Sequence, residues 1–118
     1  MGVNRIVPNL PAADTHVSQE FYADFLGLEP ALDLGWIVSY RSPENPTAQV
    51  SVVTRDETAP EDSAISIGVS DVEEAYAEAR RRGYEIVHPL TEEAWGLRRF
   101  FVRAPDGNVI NVVSHSDE

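Results

Sequence analysis

The sequence predicts an α+β domain in which two βαβββ repeats pair around a concave cleft. Three observations predict it: an internal duplication, one element order shared by both halves, and a length that permits a single shared core. Asp14 and Asp71 each follow an extended apolar stretch and open a helical segment, 57 residues apart. Those segments end at Leu26-Gly27-Leu28 and Arg82-Gly83-Tyr84, with the glycines 56 apart. Arg41-Ser42-Pro43-Glu44-Asn45 matches Arg103-Ala104-Pro105-Asp106-Gly107 at an offset of 62, and Val50-Ser51-Val52-Val53 matches Ile110-Asn111-Val112-Val113 at 60. Four landmarks in order, at nearly constant offset, indicate a duplication with small insertions.

The elements follow from local pattern. Arg5–Leu10 reads as a strand, and Pro8 within it suggests an edge or an irregular stretch. Asp14 suits the N-cap of a helix over Thr15–Phe25, in which Val17, Phe21 and Phe25, with Leu28 beyond the end, form one apolar stripe. Gly27 stands where a C′ glycine ends a helix. Trp36–Tyr40 and Gln49–Thr54 are strands joined by the turn Ser42-Pro43-Glu44-Asn45. In the second half Ala64–Val69 is a strand, and Ser70-Asp71-Val72-Glu73 has the form of a capping box for a helix over Val72–Arg82. A short strand Tyr84–Val87, then Leu97–Arg103, the turn Pro105-Asp106-Gly107 and Val109–Val113 complete it. Residues 1–118 are thus one domain of two repeats, about 4–54 and 63–114, joined by an acidic linker at 55–62. Neither half is large enough for a core of its own, so the two sheets must share one, leaving a cleft between concave faces.

Composition narrows the function classes. The 118 residues include no cysteine, which excludes disulfides, iron–sulfur clusters and thiolate metal sites. All nine basic residues are arginine, and 20 acidic ones bring the formal charge to −11. That balance argues against a nucleic-acid backbone or an anionic membrane surface and permits a cationic partner. No apolar run approaches the ~18–20 residues of a spanning helix, and no signal peptide precedes the domain, so the expected compartment is the cytoplasm.

The strand-Asp14-helix opening with Phe21-Tyr22 and Leu26-Gly27-Leu28 resembles the vicinal oxygen chelate superfamily, as do Trp95-Gly96-Leu97-Arg98 and Pro105-Asp106-Gly107-Asn108-Val109-Ile110. This group holds glyoxalase I, bleomycin-resistance and extradiol dioxygenase proteins. The likeness covers Arg5 to Ser114 and implies a glyoxalase/bleomycin-resistance-type fold. It further implies a divalent ion on four cleft positions, which the repeat assigns to Val7, Ser51, Ala64 and Asn111. None of these is His, Glu or Asp, and a serine hydroxyl or an Asn carbonyl is a weak ligand for zinc, iron or nickel. The resemblance is therefore closest to the metal-free bleomycin-resistance branch, whose members bind a drug without transforming it. It implies a bacterial, antibiotic-resistance type of protein, commonly a homodimer.

The expected function is binding of a small molecule, cationic or aromatic, with no cofactor, no metal and no catalytic residue. Trp36 and Trp95 offer stacking faces at near-equivalent points of the two halves. Asn111 is a polar residue in the apolar strand Val109–Val113 and needs a partner. Gln49 and Ser51 share a strand face, and alternation groups Arg99 with Phe101 and Trp36 with Tyr40; all are placed in the cleft. His16 and His88 read as exposed, and His115 falls in the tail Ser114–Glu118. Two alternatives stand beside this reading. One is an enzyme, either a glyoxalase-like lyase or dioxygenase with an atypical metal set or a metal-free isomerase. The other is an interaction module whose cleft is plugged by Trp36, Trp95 and Phe101.

Overall fold

A computed structural model describes residues 1–115; Ser116, Asp117 and Glu118 of the expected tail lie outside the described residues. Eight strands form one curled sheet: β1 (Val3–Pro11), β2 (Glu29–Asp33), β3 (Ile37–Arg41), β4 (Gln49–Val53), β5 (Ile65–Val69), β6 (Glu85–Glu93), β7 (Leu97–Arg103) and β8 (Val109–His115). Their order is β2-β3-β4-β1-β5-β8-β7-β6, so each half contributes four neighbouring strands and the halves meet where β1 pairs antiparallel with β5. Within each half the first and last strands pair in parallel, β1 with β4 and β5 with β8. This is the paired βαβββ fold that the repeat predicts.

Helices cover the outer face of the sheet. Val72–Arg81 (α1) starts at Asp71, whose side chain accepts from Glu74 N at 3.0 Å, and ends before Gly83 at φ +76°. The cap is Asp71 rather than Ser70: Ser70 Oγ instead accepts from Gly2 N, and Glu73 pairs with Arg98. Val72, Ala75 and Ala79 bury one side of α1 against Val69 and Phe100, with Tyr76 edge-on to the Phe100 ring at 5.0 Å.

The first half departs from expectation. A turn occupies 15–18, and only Glu20–Phe25 is helical, wound as a π-helix whose Leu26 N–H reaches back to Phe21 O. Asp14 accepts from His16 N in a local turn, and buried Thr15 donates to Gly35 O at 2.7 Å, which holds the segment away from a regular helical start. The wider winding turns the stripe outward. Val17, Phe21 and Phe25 are exposed, while Tyr22, Ala23 and Leu28 pack on the core of Val38, Tyr40 and Val52.

Two strands exceed the sequence reading. Glu29–Asp33 is a strand, and the short Tyr84–Val87 extends to Glu93 through Pro89. Both are edge strands, where Pro30 and Pro89 are tolerated because one side needs no ladder partner. Pro8 instead lies in an interior strand, just before β1 begins its pairing with β4 at Asn9.

Candidate functional site

The concave face encloses a cavity of about 260 Å³ lined from both halves. The sheet register explains its floor. Asn9 stands opposite Ser51, Val7 opposite Ser66, and Ser66 opposite Asn111, so the four innermost strands present their side chains side by side. The polar ones join in two groups. Ser39 Oγ and Ser51 Oγ lie 2.7 Å apart. The Asn9 and Asn111 amides both donate to Ser66 Oγ, at 3.1 and 2.9 Å. Asn111 Oδ1 is buried without a hydrogen-bond partner.

One wall is aromatic. Trp36 sits on the β2–β3 turn, where Gly35 adopts φ +86° and Thr54 N bonds the Trp36 carbonyl at 2.9 Å. Trp95 sits on the equivalent β6–β7 turn, beside Gly96 at φ +92°. The two indoles meet edge to face at 5.6 Å and bridge the halves. Arg99 lies between the Trp95 and Phe101 rings, its guanidinium carbon 5.2 and 4.8 Å from their centroids.

Behind that wall the linker folds onto the second half. Arg99, only 3 % exposed, makes a fork with both oxygens of Asp56 at 2.8 Å and donates Nε to Glu93 at 2.6 Å. Thr58 Oγ1 donates to the same Glu93 oxygen at 2.6 Å. Burial works to raise the Asp56 carboxyl, but hydrogen bonds and charge from Arg99, with the Thr58 and Ala59 amides, outweigh it and hold the group below the usual carboxylate range. His88, expected to be exposed, is buried on β6 with its ring edge-on to Phe101 at 5.5 Å and Nε2 3.7 Å from Glu93.

Of the eight residues singled out from sequence, Trp36, Gln49, Ser51, Trp95, Arg99 and Asn111 line the cavity. Tyr40 does not. β3 begins at Ile37, so Trp36 belongs to the turn and cannot share the strand's alternation; Ile37, Ser39 and Arg41 face the cavity, and Tyr40 stacks on Tyr22 of the outer helix at 5.2 Å. Its phenol is driven up by burial first, then by nearby Asp33 and Tyr22. Phe101 is on the cleft side of β7, opposite Asn111, but is sealed beneath Arg99 and His88 and fully buried. The indoles and Phe101 thus form a wall and leave the cavity open, unlike the plugged cleft of an interaction module.

Sequence reasoning missed Arg5, Ser39, Arg41 and Ser66, which also line the cavity, and His115, which ends β8 on its rim rather than lying in a tail. Alternation back from Arg41 would have found Ser39. Ala64 is a register correction. It precedes β5, bonding backbone to backbone with Asn9 and Val109, and Ser66 is the residue opposite Val7. The first half carries two more residues between its cleft position and its helix-opening aspartate, so counting back from Asp71 overshoots. His16 is exposed as expected, yet its Nε2 meets Asp33 at 3.0 Å, and that hydrogen bond raises the imidazole above its ordinary value.

The divalent ion that the fold suggests does not fit this floor. Its central positions hold Val7, Ser51, Ser66 and Asn111, which offer two hydroxyls and one amide, with no carboxylate or imidazole. Among the described residues no acidic one lines the cavity, and no three His, Asp or Glu side chains gather as a metal would require.

Two βαβββ modules closing on a shared cleft define a class of protein, and comparison with known proteins gives it a family. The chain belongs to the Glyoxalase/Bleomycin resistance protein/Dioxygenase superfamily, whose model matches residues 2–112. No curated protein matches it. Among solved structures it is similar to a glyoxalase/bleomycin resistance protein/dioxygenase superfamily member from Vibrio splendidus (24% identity, TM-score 0.68, covering 93% of this chain and 97% of that one). It also resembles a hypothetical protein from Bacillus halodurans (17%, TM-score 0.75, 100% and 98%) and methylmalonyl-CoA epimerase from Mycobacterium tuberculosis (19%, TM-score 0.74, 96% and 89%). At these identities the likeness is one of fold. No helix among the described residues is long and apolar enough to cross a membrane.

Proposed function

We propose that this protein binds a small, flat molecule in its cleft, without a metal ion and without transforming it, as a sequestering protein of the bleomycin-resistance type. The donor set of the floor carries this reading. Where metal chemistry would need carboxylates or imidazoles, the cleft has Val7, Ser51, Ser66 and Asn111. Two further features support it. The indole pair supplies stacking area, and Ser39, Ser51 and Asn111 place a few polar groups on an otherwise apolar floor. The glyoxalase-like lyase or dioxygenase alternative gains nothing from the corrected register, because serine for alanine adds only another hydroxyl.

The test is thermal unfolding of chelator-stripped protein with Zn, Mn, Ni and Fe(II), beside a set of one- and two-ring aromatic compounds. A ligand at 100 times its Kd adds about 2.7 kcal/mol, several degrees for a domain of this size. The expected result is an unchanged Tm with each ion and a rise with at least one aromatic compound. A rise of several degrees with an ion overturns the reading.

A further inference from the structure

The hydroxyls and amides on the floor of the cleft hold more donors than they can use among themselves. A serine hydroxyl carries one proton and accepts two bonds. Ser66 Oγ accepts from the Asn9 amide at 3.1 Å and from the Asn111 amide at 2.9 Å, which fills both places. Its own proton must go elsewhere, and it has no acceptor among the described residues. Turning the Asn111 amide over keeps the count: the Ser66 proton then goes to Oδ1, and an amide N–H becomes the spare donor. The Ser39–Ser51 pair has the same property on the other side of β1. Whichever hydroxyl donates across the 2.7 Å between them, the other keeps its proton.

The space beside Ser66 has a definite size. Behind the main cavity lies a recess of about 30 Å³, and Trp36, Ser66 and Asn111 line both. That is the volume one water molecule takes in the liquid, so the recess admits a single oxygen and no ring. Its charges are unfavourable to an anion. Asp56, Asp62 and Arg99 also line it, and Arg99 is already matched by Asp56 and Glu93. Asp62 has no ion-pair partner among the described residues, and it would repel a second carboxylate.

We infer that the ligand of this cleft is a flat aromatic ketone or related aromatic carbonyl compound, its ring against the Trp36 and Trp95 indoles and its uncharged oxygen in the recess, accepting from Ser66 Oγ. This rests on the reading of the cleft as a small-molecule site and names the ligand group that the site selects. An apolar group of the same shape would leave the Ser66 proton without a partner once water is expelled, and that loss is the source of the discrimination.

Isothermal titration calorimetry with three probes of one shape tests it: 2-acetylnaphthalene, 2-isopropenylnaphthalene, in which a methylene replaces the carbonyl oxygen, and 2-naphthoate. The expected result is a Kd for the ketone at least about five-fold below that of the alkene and of the carboxylate. The preference over the alkene should fall to within about two-fold in Ser66→Ala and persist in Ser70→Ala, which removes a hydroxyl outside the cleft. If Ser66→Ala does not fold, infrared spectra of the wild type decide. The carbonyl stretch of the bound ketone should lie below its value in an apolar solvent, and an unshifted band overturns the inference. Equal binding of ketone and alkene, or tighter binding of the carboxylate, overturns it and leaves the cleft reading standing. A preference kept in Ser66→Ala overturns the role of Ser66. Binding of none of the three overturns the inference and counts against the cleft reading as well.

Discussion

The two helices of this duplicated chain occupy equivalent places and are built differently. α1 has a side-chain cap at Asp71, two acids in its first turn, Arg80 and Arg81 in its last, and three buried residues. The π-helix at 20–25 has no side-chain cap bond, no basic residue in its last turn and no buried residue, and it leaves Phe21 and Phe25 in solvent. Duplication copies a pattern of elements, but packing need not be copied with it. Here the second half anchors the fold, and the linker adds to it by clamping Asp56 onto Arg99. The first half supplies cleft residues on a looser frame.

The sharpest way to break this asymmetry is in the cores. Phe100→Ala empties the space between α1 and the sheet and should cost about 3–5 kcal/mol, read by urea unfolding. Tyr40→Phe, at the core of the first half, removes a buried hydroxyl that has no partner and should be neutral or raise stability by about 1 kcal/mol. A loss above about 1 kcal/mol in Tyr40→Phe would show that the hydroxyl has a partner in the folded state.

The Arg99 clamp comes next. Arg99→Met strands Asp56 and Glu93 in the interior and should cost about 3 kcal/mol at pH 7. Its pH dependence has a definite sign. The Asp56 carboxyl is lowered in the folded state, so the stability it carries is present above the unfolded value of about 3.9 and is lost as pH falls through the lower native one. The gap between wild type and variant, measured by denaturant unfolding, should therefore narrow from pH 5 to pH 2.

The smallest effect sharpens the comparison at the helix starts. Asp71→Ala should cost about 1 kcal/mol, whereas Gln19→Ala should change stability by no more than about 0.5 kcal/mol, both read as shifts in the urea midpoint.

The architecture was legible because the repeat landmarks are turn and cap residues, whose chemistry acts locally. Gly27, Asp71 and Gly83 mark their boundaries whatever packs around them, whereas Asp14 holds a local turn and the first helix begins only at Glu20. The site was legible where alternation had a fixed origin, as at Asn111 within Val109–Val113. It failed where a strand's phase depended on a neighbour. Trp36 looked like the first residue of a strand and is part of a turn, so Tyr40 was turned to the wrong face. Ala64 was placed by counting from Asp71, and only the β1–β5 pairing reveals the two-residue difference. The buried position of His88 could not be read beside Pro89, because only the place of β6 at the sheet edge makes that proline tolerable. Arg5 gave no local signal at all; its place on the cavity follows from the pairing of β1 with β5.

The seam between β1 and β5 has a consequence for how the chain reaches this form. The first strand made is the one at the centre of the sheet, and its antiparallel partners run from Val3 with Val69 to Pro8 with Ile65. Its parallel contact, Asn9 with Ser51, is distant too. During synthesis the N-terminal strand must wait for more than half of the chain before both its edges are covered. Such long-range pairing is slow, because loop closure is completed before the contacts reward it. Pairing of β1 with β5 is therefore expected to be among the later steps of folding.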